Sequence, residues 1–150
     1  MDVQPAVFGK PNTQSCPRLL VADDSQFERS ALAQYLRRMG YEVSEAGDGR
    51  ATIEHLQSHE VDGLLLDLNM PSVDGFHVLS YLQKHRRGLP VILLSGMPLD
   101  QIQQHIHGLP QHELPPLMLK PIDVDQLMEV LKLQLRGDLT RAIEQERQSS

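Results

Sequence analysis

Tryptophan is absent from this 150-residue chain, and tyrosine and phenylalanine number three each, so a folded core has to be aliphatic. A single cysteine, Cys16, excludes an intrachain disulfide and suits a reducing compartment. Positive charge is scarce: 14 Lys and Arg face 20 Asp and Glu, a net charge of −6. That balance argues against a general nucleic-acid or anionic-membrane binder through this domain. Long apolar runs are missing as well. Leu64–Leu66 and Val91–Leu94 are far too short to cross a bilayer. Met1–Pro5 has neither the basic start nor the apolar stretch of a secretory signal. These absences predict a cytoplasmic domain without membrane contact. What is present is ordinary: 40% hydrophobic and 23% charged residues, enough for one globular domain.

Residues 1–17 hold three prolines and no period, which predicts a flexible N-terminal tail. Arg18–Ala22 is an apolar run that suits a strand buried on both faces. Ser25 with Glu28 three residues on is a capping-box pattern. Phe27, Ala31, Leu32, Tyr35, Leu36 and Met39 follow at helical spacing, and Gly40 closes the helix. Tyr41–Ala46 alternates like a half-exposed edge strand. Gly47–Gly49 is a turn, and Ala51, Ile53 and Leu56 mark a second helix.

Gly63–Leu66 is a second buried run, ending in Asp67. The segment from Asn69 to Gly75 has turn chemistry, with Asp74 placed to cap a helix whose buried face includes Phe76, Leu79 and Leu82. Pro90–Leu94 is a third run, ending in Ser95. Leu99, Ile102 and Ile106 suggest a short helix, and Gly108–Pro116 reads as a proline-rich loop. Leu117–Leu119 is a last strand. Asp123 then caps a helix with Val124, Leu127, Met128, Leu131 and Leu135 inward. Residues 137–150 continue a weaker helical pattern, either as an extension or as a tail. Beyond Gly137 that pattern leaves room for a homodimer contact. Strand and helix alternate five times, which implies parallel pairing, right-handed crossovers and helices on both faces of a five-stranded sheet, a three-layer α/β domain.

Polar groups collect at one edge. The first strand ends in Asp23-Asp24, the third in Asp67, the fourth in Ser95 and the fifth in Lys120. In open parallel sheets ligands bind outside the carboxyl ends of the strands. With strand order 2-1-3-4-5, Asp24 and Asp67 lie on neighbouring strands and can share one ion. Lys120, two strands from Asp67, has a side chain long enough to lean back. Crowded carboxylates raise at least one pKa unless a cation intervenes. All-oxygen ligands favour Mg²⁺ or Mn²⁺ over Zn²⁺. A cation, an ammonium and a hydroxyl together suit phosphoryl oxygens, and a central carboxylate can act as nucleophile, which points to phosphoryl transfer onto an aspartate.

Asp23-Asp24, Asp67-Leu-Asn69-Met70-Pro71-x-x-Asp74-Gly75, Ser95-Gly96 and Lys120-Pro121, in this order, resemble the receiver domain of bacterial two-component response regulators. The resemblance spans about residues 18–136 and implies a flavodoxin-like fold. It implies that Asp67 accepts a phosphoryl group from a histidine kinase or histidine phosphotransfer protein. Asp24 and Asp67 would ligate Mg²⁺ (or Mn²⁺) directly, Asp23 through water, and the Asn69 backbone carbonyl would add a further ligand. Ser95 and Lys120 would contact phosphoryl oxygens, and the bond before Pro121 would be cis. Asn69 and Met97 would flank the path of the hydrolytic water and set the hydrolysis rate. One departure stands out: the family usually has Tyr or Phe three residues before the lysine, where this chain has Leu117.

The expected function is therefore a stand-alone receiver, or the receiver piece of a larger regulator, that signals through a downstream protein partner. The alternative is a receiver-like binding module that is never phosphorylated, which Leu117 favours and the intact acid set opposes. A classical enzyme is not expected. An aspartyl-phosphate phosphatase needs a second acid two residues after its nucleophile, where this chain has Asn69. His105, His107 and His112 read as solvated surface, and Cys16 as incidental.

Overall fold

The computed structural model describes residues 16–70, 75–98, 100–102 and 114–149, with side chains described as far as Arg136. Five strands, β1 (Arg18–Ala22), β2 (Glu42–Ala46), β3 (Gly63–Asp67), β4 (Val91–Ser95) and β5 (Leu117–Leu119), form one parallel sheet in the order β2-β1-β3-β4-β5. Among the described residues four helices of fixed extent accompany them: α1 (Gln26–Arg38), α2 (Gly49–Ser58), α3 (Gly75–His85) and α4 (Val124–Ser149). Residues 100–102 are also helical. The predicted three-layer, flavodoxin-like architecture and its strand order are what the chain adopts.

The sheet is central because β3 and β4 bury every residue they contain. Such strands need cover on both faces, and two apolar clusters supply it. Leu20, Leu64, Leu66 and Leu93 point to one face, against Leu56, Val78, Leu79 and Leu82. Leu19, Val21, Leu65, Ile92 and Leu94 point to the other, against Leu36, Leu127 and Leu131. The largest fully buried side chains are all Leu, Ile or Val. Each contributes about 1.5–3 kcal/mol of burial, so an aliphatic core replaces the missing aromatics. β2 closes one edge, half exposed as predicted, with Glu45 held by Arg29 at 3.1 Å and Arg37 at 3.3 Å.

Several local expectations are corrected. Phe27, placed by its spacing on the buried face of α1, is 84% exposed. Met39 and Ala31 are exposed too, so α1 packs through Leu32, Ala33, Tyr35 and Leu36. A helix lying on a sheet buries a stripe only about 100° wide, and Ala33, not Phe27, falls at its centre. In α2 the fully buried residue is Thr52, whose hydroxyl donates to the Asp48 carbonyl at 2.7 Å. In α3 Val78 is fully buried while Phe76 is only partly so. Val124, expected inward, is exposed at the start of α4.

The capping box is half made. Ser25 Oγ accepts from the Glu28 amide at 3.3 Å, but the Ser25 amide donates to Asp23 Oδ1 at 2.9 Å, because the Glu28 side chain is engaged elsewhere. At α4 the predicted cap forms, Asp123 Oδ1 accepting from the amides of Asp125 and Gln126. The Lys120–Pro121 bond is cis. α4 runs without interruption through Gly137. Cys16 is exposed, and the Pro17 carbonyl accepts from the Glu42 amide at 3.0 Å. The expected tail over residues 1–15, the Asp74 cap, Leu99 and Ile106, the loop up to residue 113, His105, His107, His112, and the side chains beyond residue 136 lie outside the described residues.

Candidate functional site

The site is assembled by ladder hydrogen bonds that overrun the strands at their carboxyl ends. The Asp23 amide donates to the Ala46 carbonyl at 3.1 Å, Leu68 to Leu94 at 2.9 Å, and Lys120 to Ser95 at 2.8 Å. Residues just past the last apolar positions of β1, β3, β4 and β5 are thereby fixed side by side. Parallel register makes this automatic: Ala22 pairs with Leu66, and Asp67 with Leu94.

Asp23, Asp24 and Asp67 come together, each with a carboxylate oxygen within 4.8 Å of the others. Asp23 and Asp67 are buried while Asp24 is exposed. That is a floor of two shielded acids with a third at the mouth. The Asn69 amide donates to Asp67 Oδ1 at 3.0 Å and pins the carboxylate's orientation. Arg29 braces the opposite wall, Nη1 donating to the Asp23 carbonyl at 2.8 Å while Nε holds Glu45. Gly75 is buried at the start of α3, and a Cβ there would run into the Asp67 carbonyl and Leu68 Cα. Only glycine lets α3 approach the segment that carries Asp67.

Lys120 leans across the sheet as its length permits. Its Nζ donates to Asp23 Oδ2 at 3.1 Å, Asp67 Oδ2 at 3.2 Å and Glu28 Oε1 at 2.7 Å. Glu28 was missed by the sequence reading, which used it as a capping residue. The available signal was an acid four residues after Asp24, on the first turn of a helix that starts at the pocket rim. Ser95 is fully buried at the end of β4, one residue beyond the partner of Asp67, and its Oγ accepts from the Met97 amide at 2.9 Å. Met97 itself packs partly against the sheet's apolar cluster, and Asn69 is exposed.

Electrostatics follow from burial. The Asp67 carboxyl is pushed up to about 6, first by burial and then by the Asp23 charge, with the Asn69 amide and Lys120 opposing. Lys120 moves upward. Burial alone would lower it, but hydrogen bonds to Glu28 and Asp23 and the Asp67 charge outweigh that cost. One ammonium thus faces three carboxylates at bonding distance, with Asp24 beyond. The excess of negative charge is what a hard divalent cation relieves, and the donors are all oxygen, the set Mg²⁺ takes. The cluster is tight enough to chelate a divalent metal.

A family model described as response regulator receiver domain matches residues 19–132. The transcriptional regulatory protein PrrA of Mycobacterium leprae is 32% identical over 122 residues, covering 81% of this chain and 51% of that protein. Response regulator RR06 of Streptococcus pneumoniae is 38% identical over 92 residues, 61% of this chain and 42% of that one. This chain therefore spans about half the length of such relatives. Among solved structures, a CheY-like receiver domain protein from Methanospirillum hungatei superposes with a TM-score of 0.76 at 22% identity, covering 85% of this chain and 99% of that one. Thermotoga maritima TrrA, solved with Mg²⁺ and BeF, gives 0.69 at 25% identity, covering 79% and 98%.

Proposed function

The chain belongs to the response regulator receiver domain family, and from that premise we propose that Asp67 is its phosphoacceptor, served by a histidine kinase or histidine phosphotransfer protein. The domain has the receiver fold and the acidic cluster of Mg²⁺-dependent receiver signalling, and its chemistry is limited self-phosphorylation and self-dephosphorylation. The observation that carries the assignment of Asp67 is its position: buried, central, within 4.8 Å of both other acids and 3.2 Å from Lys120.

In the reaction an Asp67 carboxylate oxygen attacks the phosphorus of a donor phosphohistidine. The P–N bond breaks, the imidazole leaves with its electron pair, and a proton from solvent neutralises it. Asp23, Asp24, Asp67 and the Asn69 carbonyl are the residues to hold Mg²⁺ (or Mn²⁺), which when bound offsets charge on the phosphoryl oxygens. The Asn69 amide fixes the rotation of Asp67. Lys120 supplies positive charge beside the nucleophile, and the Ser95 hydroxyl sits at the same edge to bond a phosphoryl oxygen.

Access supports a protein donor. Asp23, Phe27, Glu28, Lys120, Ile122 and Val124 line an apolar hollow of about 300 Å³ beside the acids. This hollow is a surface on which a donor protein can seat, and Phe27 offers it an exposed ring. Residues 18–136 form the receiver unit in this reading, with 137–150 as a helical extension. The protein acts in the cytoplasm and signals through a downstream protein partner. Among the described residues no helix is long and apolar enough to cross a membrane.

Incubation with Mg²⁺ and acetyl phosphate, followed by intact mass, tests the assignment. A gain of one phosphoryl group that is lost in Asp67→Ala supports it. No gain in the wild type supports the unphosphorylated binding module instead. Lifetime is a second readout. Met97 is apolar and cannot orient water, so Met97→Glu should lose phosphate faster than the wild type, and equal rates would remove Met97 from the account.

A further inference from the structure

An ammonium has three hydrogens to give, and Lys120 gives all of its hydrogens to carboxylates: Glu28 at 2.7 Å, Asp23 at 3.1 Å and Asp67 at 3.2 Å. Two of these acids belong to the cluster that can hold a metal; Glu28 does not. Its side chain is half exposed on the first turn of α1, yet it makes the shortest of the three contacts. We propose that Glu28 is a positioning residue that holds Lys120 back from the phosphoryl group, so that the charge at position 28 sets how readily Asp67 is phosphorylated. This rests on the reading of Asp67 as phosphoacceptor.

A phosphoryl group on Asp67 places nearly two negative charges beside Lys120. Charge on Asp23 and Asp67 is offset by a divalent cation once one binds. Among the described residues, Glu28 is ion-paired with Lys120 alone. A lysine paired at 2.7 Å with an external carboxylate presents a nearly neutral unit to the incoming phosphoryl oxygens, and the carboxylate itself repels them. Lys120 therefore has to release Glu28, or share its charge, before it stabilises the phosphorylated state. Glu28 is also freer to give way, since its side chain is half exposed, whereas Asp23 and Asp67 are fixed in the floor. The backbone of Glu28 is bonded independently, its amide donating to Ser25 Oγ, so neutralising the side chain leaves the helix start intact.

The test compares the full chain with Glu28→Gln and Glu28→Asp. At saturating Mg²⁺, beryllofluoride is titrated as a phosphoryl stand-in, and the rate of mass gain from acetyl phosphate is measured in parallel. For a half-exposed ion pair the expected gain in Glu28→Gln is about three- to fivefold, in both beryllofluoride affinity and phosphorylation rate. Salt of about 1 M should close the gap by screening, and Glu28→Asp, which keeps the charge, should stay nearer the wild type. A role confined to starting α1 would move the thermal midpoint but not the beryllofluoride titration. Equal or weaker beryllofluoride binding in Glu28→Gln, with a wild type that binds it normally, overturns the proposal alone. A wild type that neither binds beryllofluoride nor gains phosphate overturns the phosphoacceptor reading with it.

Discussion

At the scale of single residues, Asp67 carries a conflict between its charge and its burial. Its carboxyl is pushed up to about 6, burial being the largest cause, against about 3.9 in an unfolded chain. Between those values the folded state holds the extra proton. The stability associated with Asp67 is therefore fully present below about pH 4. It is lost as pH rises through about 6, where the buried group ionises. In EDTA at pH 7.5, Asp67→Asn should raise the thermal midpoint, a stabilisation on the order of 2 kcal/mol. The gain should shrink to nothing below about pH 4, where both states are protonated. Thermal melts across that range check it, and a variant less stable than the wild type at neutral pH would contradict the role given to burial. Mg²⁺ should reverse the order at neutral pH, since it stabilises only the chain that keeps its third carboxylate.

At the scale of elements, the approach of α3 to the end of β3 is fixed by Gly75. Gly75→Ala would drive a methyl into the Asp67–Leu68 backbone. A loss of about 1–3 kcal/mol is expected in denaturant melts, as for overpacking elsewhere, together with weaker Mg²⁺ binding because Asp67 is displaced. Unchanged stability and unchanged Mg²⁺ affinity would show that α3 can yield. The elements themselves were legible in the sequence wherever burial was symmetrical. β1, β3 and β4 bury both faces, so an unbroken apolar run identifies each one, and the polar residue ending each run marks the site. Helix faces were less legible. Phe27 reads as one of a helical set with Ala31 and Leu32, but it falls outside the stripe that Ala33 and Leu36 bury and so faces solvent. Thr52 buries a hydroxyl because the Asp48 carbonyl is within reach, a local bond that no periodicity records. Glu28 was hidden by a pattern with two readings. The capping motif and the Lys120 contact need the same acid, and tertiary geometry gave its side chain to the lysine. At β5, Leu117 occupies the place where the family usually has an aromatic ring and is partly buried against the sheet's apolar cluster, so a side chain smaller than a ring fills that position.

At the scale of the whole molecule, an acidic chain concentrates its buried charge at one end of an otherwise aliphatic sheet. Two apolar faces hold the sheet rigid, and the strand ends present the acids at fixed spacing. α4 runs 26 residues, and the receiver family match ends at residue 132, before the last part of it. Removing residues 137–150 should therefore leave the thermal midpoint within about 2–4 °C of the full chain, the shift expected from roughly 1 kcal/mol in a domain of this size. It should also leave Mg²⁺ affinity unchanged. A larger drop would place those residues inside the receiver unit.

The account stands on Asp67 as the acceptor at the centre of the acidic cup. Intact mass after incubation with acetyl phosphate and Mg²⁺, run beside EDTA and Asp67→Ala controls, addresses it most directly. The wild type should gain one phosphoryl group with Mg²⁺ present, and neither control should gain any. A wild type that stays at its original mass, or an Asp67→Ala chain that gains the group as readily, would contradict it.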